Sequence, residues 1–179
     1  MQGVRRFDLA SALFWPTTSI SRITETYMVK IGLDNPESGW AYAHLSDGIK
    51  ELVVTAPFSP VDVLRDFVDA VQSLQTVEMA HCCWSQEPGE LHWRLLRKND
   101  DLEVEILSFP DTSIPGRHRG DPISIFKAHT SWLRFAREVL SSLESIKTNL
   151  GLEGYERECR HPYPNEAYEK LQNAIHERR

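Results

Sequence analysis

The segment from residue 59 to residue 110 constrains the fold most, because it predicts one amphipathic helix followed by three β-segments. The motif Ser59-Pro60-Val61-Asp62 marks the helix start, since a hydroxyl can cap free amides and proline suits the first helical position. Apolar residues then recur at three- and four-residue spacing, and they are Val61, Leu64, Phe67, Val68, Val71 and Leu74. An isolated helix this short is marginal in water, so its apolar stripe needs a sheet to cover it.

Three β-segments follow this helix, at residues 76–85, 91–98 and 102–109. In the third, apolar residues alternate with glutamates, which is typical of an antiparallel strand with one face on the core. The connections Glu87-Pro88-Gly89-Glu90 and Asn99-Asp100-Asp101 are short and rich in turn-forming residues. We therefore expect two consecutive hairpins.

The part of the chain before the helix also reads as β-structure. Strands are predicted at 23–33, 40–45 and 49–55, and Asp47-Gly48 between the last two is the strongest hairpin signal in the sequence. Three strands and a helix are thus followed by three more strands and a helix at about 130–150.

The fold class predicted from this order is α+β, with a largely antiparallel sheet of six or seven strands arranged βββα-βββα. We expect the strands to form one continuous sheet with the two long helices on one face. A short strand at 123–127 is the seventh, Gly151 ends the second helix, and Asn165 caps a short C-terminal helix.

Length and composition indicate one globular domain. The chain has 179 residues, of which 41% are hydrophobic and 26% charged, so we assign residues 22–179 to a single domain and residues 1–21 to an N-terminal lead-in. A net charge of −6 disfavours binding to nucleic acid or to an anionic membrane. Three cysteines, two of them adjacent, form a poor disulfide framework, which favours a cytoplasmic protein.

Metal and catalytic motifs are both missing from the sequence. Potential ligands are present, but none has the spacing of a known metal motif: they are His81, Cys82, Cys83, His92 and Cys159. We expect His81 and His92 to face each other across a hairpin, with Cys83 on the same strand face as His81. Buried cysteines usually behave as small apolar residues, so we predict no bound metal and no cofactor.

No nucleophile elbow or glycine-rich phosphate loop occurs in the sequence. Glu87 and Glu90 flank a turn, where two solvated charges are the ordinary interpretation and paired carboxylate chemistry is the alternative. We therefore predict no catalytic residues. The competing hypothesis is a small-molecule-binding protein or an enzyme with a site near the 110–122 loop.

Two features are candidate contacts with a partner protein. The loop at 111–122 is rich in proline, glycine and charge, and it carries Arg117, His118, Arg119 and Asp121. Trp84 and Trp93 lie near each other across the predicted turn at Glu87. They form either an exposed aromatic anchor or a cross-strand pair in the core.

Three segments carry a resemblance to a loosely defined group of small bacterial α+β proteins: the Ser59-Pro60 helix start, Glu87-Pro88-Gly89-Glu90 followed by Trp93-Arg94-Leu95, and Tyr155 to His161-Pro162-Tyr163-Pro164. The resemblance covers about residues 27–176. The group has no established activity, and some similar proteins are encoded beside toxins and regarded as immunity proteins. The resemblance therefore implies an immunity-like role, and we expect a cytoplasmic, non-catalytic module that binds another protein.

Overall fold

The computed structural model describes residues 29–86, 89–109 and 121–178. Within these ranges the chain forms seven strands and three helices in the order βββαββββαα. The elements are β1 (Lys30–Leu33), β2 (Trp40–Ser46), β3 (Glu51–Pro57), α1 (Val63–Ser73), β4 (Met79–Gln86), β5 (Gly89–Lys98), β6 (Asp101–Phe109), β7 (Ile123–Ser131), α2 (Trp132–Cys159) and α3 (Asn165–His176). The first six residues of the strand predicted at 23–33 lie outside the described ranges.

Every strand pair is antiparallel, which confirms the predicted α+β class and the seven strands. The strands form two hydrogen-bonded sheets, β1-β2-β3 and β4-β5-β6-β7, instead of one continuous sheet. Where β3 and β4 approach each other, the Gln86 side chain donates to the carbonyl of Thr55 at 3.1 Å. The second half has four strands, because β7 extends from residue 123 to residue 131 and pairs with β6 along its length.

The predicted hairpins are confirmed. Asp47 accepts hydrogen bonds from the amides of Ile49 and Lys50 at 2.8 and 2.7 Å, and Gly48 has φ of 89°. These hydrogen bonds lower the pKa of Asp47, and the bond from the Lys50 amide has the largest effect. Asn99, in the turn between β5 and β6, also has a left-handed φ of 60°, which asparagine tolerates better than most residues.

The start of α1 differs from the prediction. The helix begins at Val63, and its cap is Asp62, whose carboxylate accepts from the amide of Arg65 at 3.1 Å. Ser59 is therefore not the cap, because a capping side chain must reach an amide two or three residues further on. Val61 is 45% exposed and does not belong to the buried stripe, whereas the other five predicted positions do.

The ends of the last two helices also differ in detail. Gly151 breaks the helical geometry of α2, as predicted, with φ of 66° and ψ of 174°, but the chain re-enters a helix that continues to Cys159. Pro164 occupies the cap position of α3 and Asn165 is the first helical residue, so the predicted Asn165 cap is wrong. Helix α3 packs against both α1 and α2.

The core is centred on aromatic side chains from both halves of the described chain. The Phe67 ring on α1 lies 6.1 Å from Trp84 on β4, 4.7 Å from Trp93 on β5 and 6.3 Å from Phe135 on α2, measured between ring centroids. All four side chains are fully buried. The indole of Trp132, at the start of α2, donates to the carbonyl of Val71 at 3.0 Å. These contacts hold α1 between the four-stranded sheet and α2.

We predict that Phe67→Ala lowers the free energy of unfolding by about 3–5 kcal/mol, because it opens a cavity among three buried rings. Loss of the cap in Asp62→Ala costs about 1 kcal/mol. Chemical denaturation of the two variants measures both losses. The reverse ranking would contradict the assigned centre of the core.

The variant Asp62→Asn keeps the capping hydrogen bond but removes the negative charge of the carboxylate. Burial raises the pKa of Asp62, so the folded state disfavours the charged carboxylate, and wild-type stability falls as pH rises from 3.8 through the raised folded pKa. Asparagine caps equally well without a charge. We expect the stability of Asp62→Asn relative to wild type to increase across that pH window, and a relative decrease would contradict the burial effect.

Candidate functional site

Trp84 and Trp93 are each 0% exposed, so of the two predicted alternatives they form the cross-strand pair in the core and not a surface anchor. Both point inward, because Trp84 pairs with Leu91 and Trp93 with Cys82 on the buried face of the β4-β5 hairpin. Their ring centroids lie 5.2 Å apart at an interplanar angle of 59°. They are therefore diagonal cross-strand neighbours in the core.

The other predicted contact residues belong to the loop before β7. Asp121 is exposed and lies two residues before that strand. Arg117, His118 and Arg119 lie outside the described residues, as does Glu87 of the predicted carboxylate pair. The loop therefore remains a predicted contact region.

The two sheets present four edge strands, and three of them receive a side-chain hydrogen bond at an outward backbone group. Each such contact occupies a backbone group that an added strand would otherwise use. The three contacts are Ile31 N of β1 to Glu138 Oε2 (2.9 Å), Gln86 Nε2 to Thr55 O of β3 (3.1 Å), and Lys50 Nζ to Ile125 O of β7.

Strand β4 is different. Arg97 N donates to Glu78 O at 2.7 Å, and antiparallel alternation from this pair turns the backbone groups of residues 80, 82 and 84 towards β5. Residues 79, 81, 83 and 85 turn theirs away from β5, and all four are exposed. Among the described residues, no other element hydrogen bonds to these outward groups. Within the described part of the chain, this edge is therefore unpaired.

A cleft of about 650 Å³ runs beside the open edge. Strand β4 forms one wall, and α1 forms the other through Val63, Asp66, Ala70 and Ser73, which recur on one helix face. Residues 57–61 close one end. The cleft thus lies between a helix face and the unpaired groups of an edge strand.

The helix wall of this cleft is acidic. Asp66 and Asp69 both line it, and burial, followed by the negative charge of Asp69, raises the pKa of Asp66. Arg65 Nε lies 3.8 Å from the Asp69 carboxylate and offsets part of this charge. A positively charged group in the cleft would relieve the repulsion between the two carboxylates.

The outward face of the four-stranded sheet carries an array of ion pairs. Arg94 contacts Glu105 and lies 3.5 Å from Glu103, which Lys127 also approaches at 3.0 Å. Although burial alone raises the pKa of Glu103, the hydrogen bond and charge of Lys127, with the charges of His129 and Arg94, hold it below its usual range. The centre of this face is therefore polar and internally paired.

Apolar side chains lie at one end of this face. Met79 and Leu96 are directly opposite each other on β4 and β5, and they are 58% and 42% exposed. Exposed apolar groups beside an unpaired strand edge are typical of surfaces that bind other proteins.

At the other end of the face, Cys83, Glu90 and His92 form a compact cluster. Their ligand atoms all lie within 4.8 Å of one another, and His92 Nε2 is 3.0 Å from Glu90 Oε2. Burial of the sulfur, with the charge and hydrogen bond of Glu90, raises the pKa of Cys83 to about 12. The thiol is therefore protonated at neutral pH in this state, which makes it a poor nucleophile.

Sequence reasoning named Cys83 and His92 but missed Glu90, because it shifted the hairpin register by two residues and placed His92 opposite His81. The structure pairs Cys83 with His92, and His81 with Arg94. The signal was the length of the connection: Gln86 pairs with Gly89, so only two residues separate the paired strands, and this length fixes every pair of the hairpin. The open edge of β4 could not be read in this way, since it depends on the order of strands in the sheet.

No family model and no curated protein matches the chain. Among solved structures, the chain is similar to a chain of the CdiA-CT/CdiI toxin and immunity complex from Enterobacter cloacae, with 17% sequence identity and a TM-score of 0.41, over 68% of this chain and 99% of that one. This likeness fixes neither the fold nor the function. No helix among the described residues has the length and apolar character needed to cross a membrane.

The ion-pair array yields a stability prediction. Glu105 has a side chain only 8% exposed, so Arg94→Met leaves a buried carboxylate without its cation and costs about 2 kcal/mol. Lys127→Met removes a pair whose lysine is 47% exposed and costs less than about 1 kcal/mol. Urea unfolding compares the two variants.

The double variant Arg94→Met/Glu105→Gln provides the control, because it removes the charge that Arg94→Met leaves uncompensated. We expect it to recover part of the loss. Equal losses of unfolding free energy for Arg94→Met and Lys127→Met would show that Arg94 is not needed to compensate the buried charge of Glu105.

Proposed function

We propose that the chain is a non-catalytic protein-binding module that receives an extended segment of its partner along the open edge of β4. The observation that carries this proposal is the difference between the described sheet edges: β1, β3 and β7 each receive a side-chain hydrogen bond, and β4 does not. An added strand would hydrogen bond to the outward backbone groups of residues 79, 81, 83 and 85. The adjacent cleft gives its side chains room.

The surroundings of the edge define the chemistry of the partner segment. Side chains of an added strand alternate between two faces. One set would enter the cleft, where Asp66 and Asp69 favour lysine or arginine. The other set would lie over Met79, which is exposed on the outward face. The preferred segment is therefore extended, with basic residues on one face and apolar residues on the other.

The resemblance seen in the sequence supplies a finer proposal, in which the protein is immunity-like and acts in the cytoplasm. The partner would then be a toxin encoded beside this chain. Co-expression with the neighbouring toxin gene tests this role separately, because a binding module with another partner would not protect the cell.

The loop at 111–122 extends the proposed contact surface. Its basic cluster, Arg117-His118-Arg119, suits an acidic patch on the partner, and the exposure of Asp121 is compatible with this role. The acidic cleft and the basic loop would together orient a partner that has both a basic segment and an acidic patch.

A second candidate function is small-molecule binding in the cleft. Its volume of about 650 Å³ falls within the range of about 300–1,000 Å³ that ligand pockets occupy. The cleft is lined by residues between 57 and 85, so this site differs from the one expected near the 110–122 loop. Its carboxylates favour a cationic ligand.

Proline at an outward position tests the strand-addition proposal. His81 N–H points away from β5, so His81→Pro removes a donor for an added strand while leaving the β4-β5 bonds intact, as edge strands tolerate. With a partner captured from extract, we expect the dissociation constant to rise about tenfold or more, as the loss of at least one hydrogen bond and close contact implies. Calorimetry measures it.

The matched control is His129→Pro on β7, whose N–H also points away from its neighbouring strand. This variant should bind like wild type. Equal affinities of wild type and His81→Pro would exclude the β4 edge as the contact. If wild type captures no protein under conditions in which known complexes survive, small-molecule binding becomes the better proposal.

The loop is tested by the double variant Arg117→Glu/Arg119→Glu. Reversed charges should weaken capture of the same partner, while the unfolding midpoint stays nearly unchanged, because the sequence predicts a solvated loop and solvated charges contribute little to stability. Undiminished capture would remove the loop from the contact surface without affecting the proposal for β4.

A further inference from the structure

The cluster of Cys83, Glu90 and His92 brings three different metal-ligand types to one point on the sheet. Cys83 and His92 are directly opposite each other on β4 and β5, at a position where the strands exchange no hydrogen bonds. Side chains of such pairs approach more closely than those of hydrogen-bonded pairs. Glu90 is two residues before His92 and points to the same face, so the register of one hairpin assembles all three groups.

The cluster is also more fixed than three ordinary surface side chains. The side chains of His92 and Glu90 are only 28% and 20% exposed. The Phe109 ring on β6 packs against the imidazole with its centroid 4.5 Å away. The carboxylate of Glu90 contacts both the imidazole and the thiol. A cation entering here would meet ligands whose orientations are already restricted.

We propose that Cys83, Glu90 and His92 form an open binding site for a thiophilic divalent cation, with Zn²⁺ as the preferred ion. Zinc accepts thiolate, imidazole and carboxylate ligands, and open sites hold it with three protein ligands and a water molecule. Cys83 lies at the surface, which leaves the fourth position accessible to water. On binding, the thiol proton leaves to solvent and the sulfur becomes a ligand to the metal.

The distances suit this assignment. Ligand atoms around a tetrahedral zinc ion lie about 3.3–3.6 Å apart, as follows from Zn–N, Zn–O and Zn–S bonds of about 2.0–2.3 Å. His92 Nε2 and Glu90 Oε2 are 3.0 Å apart, and all three ligand atoms are within 4.8 Å. Closing the site needs a shift of about 1 Å at the sulfur of Cys83, which rotation of one side-chain bond supplies.

The local charge also favours a cation. The Glu90 carboxylate lies beside the Cys83 thiol and shares a hydrogen bond with it, and a carboxylate attracts a cation. The proposal departs from the sequence expectation of no metal because spacing motifs describe ligands along the chain, whereas these ligands meet across a hairpin.

Cobalt titration tests the site directly. Full-length protein, reduced and freed of metal by chelation, is titrated with Co²⁺ alone. Thiolate coordination gives a near-ultraviolet charge-transfer band. We expect this band to saturate at one equivalent per chain and to disappear when Zn²⁺ is added.

Substitutions of the ligand residues then show which side chains give rise to the charge-transfer band. Cys83→Ser should abolish it, and His92→Gln should weaken Co²⁺ binding by about 100-fold or more, since even the loss of a group behind a ligand costs about 10–100-fold. The matched controls are Cys82→Ala, on the buried face of the same strand, and His81→Gln, on the outward face. Both should bind Co²⁺ like wild type.

Three results would overturn the proposal. These are the absence of a band in wild type with excess Co²⁺, a band that persists in Cys83→Ser, and an equal loss of the band in His81→Gln. Circular dichroism verifies that each variant is folded. Cys83→Ser and His92→Gln are separate substitutions, so either one alone decides the outcome if the other is poorly folded.

Discussion

The contact of Phe67 with Trp84, Trp93 and Phe135 is the interaction on which the rest of the structure depends. One ring of α1 touches two strands of the four-stranded sheet and the long helix α2. Because these rings are fully buried, the side chains at odd positions of β4 must point outward. The same register that fills the core therefore places His81, Cys83 and Ser85 at the surface.

Division of the strands into two sheets has a direct consequence for binding. A continuous sheet would pair β3 with β4 and leave neither of them an edge. In the structure the two strands meet through the side chain of Gln86, while α1 and the 57–61 segment frame a cleft along β4. Edge strands are usually protected from further pairing. An open edge beside a cleft is therefore the feature that most favours a protein-binding role.

Local signals were predictable from the sequence, and long-range arrangements were not. The strand β6, the Asp47-Gly48 turn and the apolar stripe of α1 each depend on neighbouring residues, and each is confirmed. The alternation in β6 also predicts a solvated face, and this part is wrong for Glu105, which is only 6% exposed. The cap of α1 was predicted at Ser59 instead of Asp62, because Ser59-Pro60 is an equally good local signal for a helix start. The split of the sheet, the open β4 edge and the cluster around Glu90 depend on how distant segments pair, which local patterns do not encode.

Residue-level amide hydrogen exchange of the free protein tests the central claim, that β4 has an open outer edge, most directly. If residues 80, 82 and 84 bond to β5 and residues 81, 83 and 85 face outward, we expect protection to alternate along the strand. Amides of Ala80, Cys82 and Trp84 should exchange slowly, and those of His81, Cys83 and Ser85 rapidly. Uniform protection of all six amides would show that another part of the protein covers this edge, and would contradict the proposed binding surface.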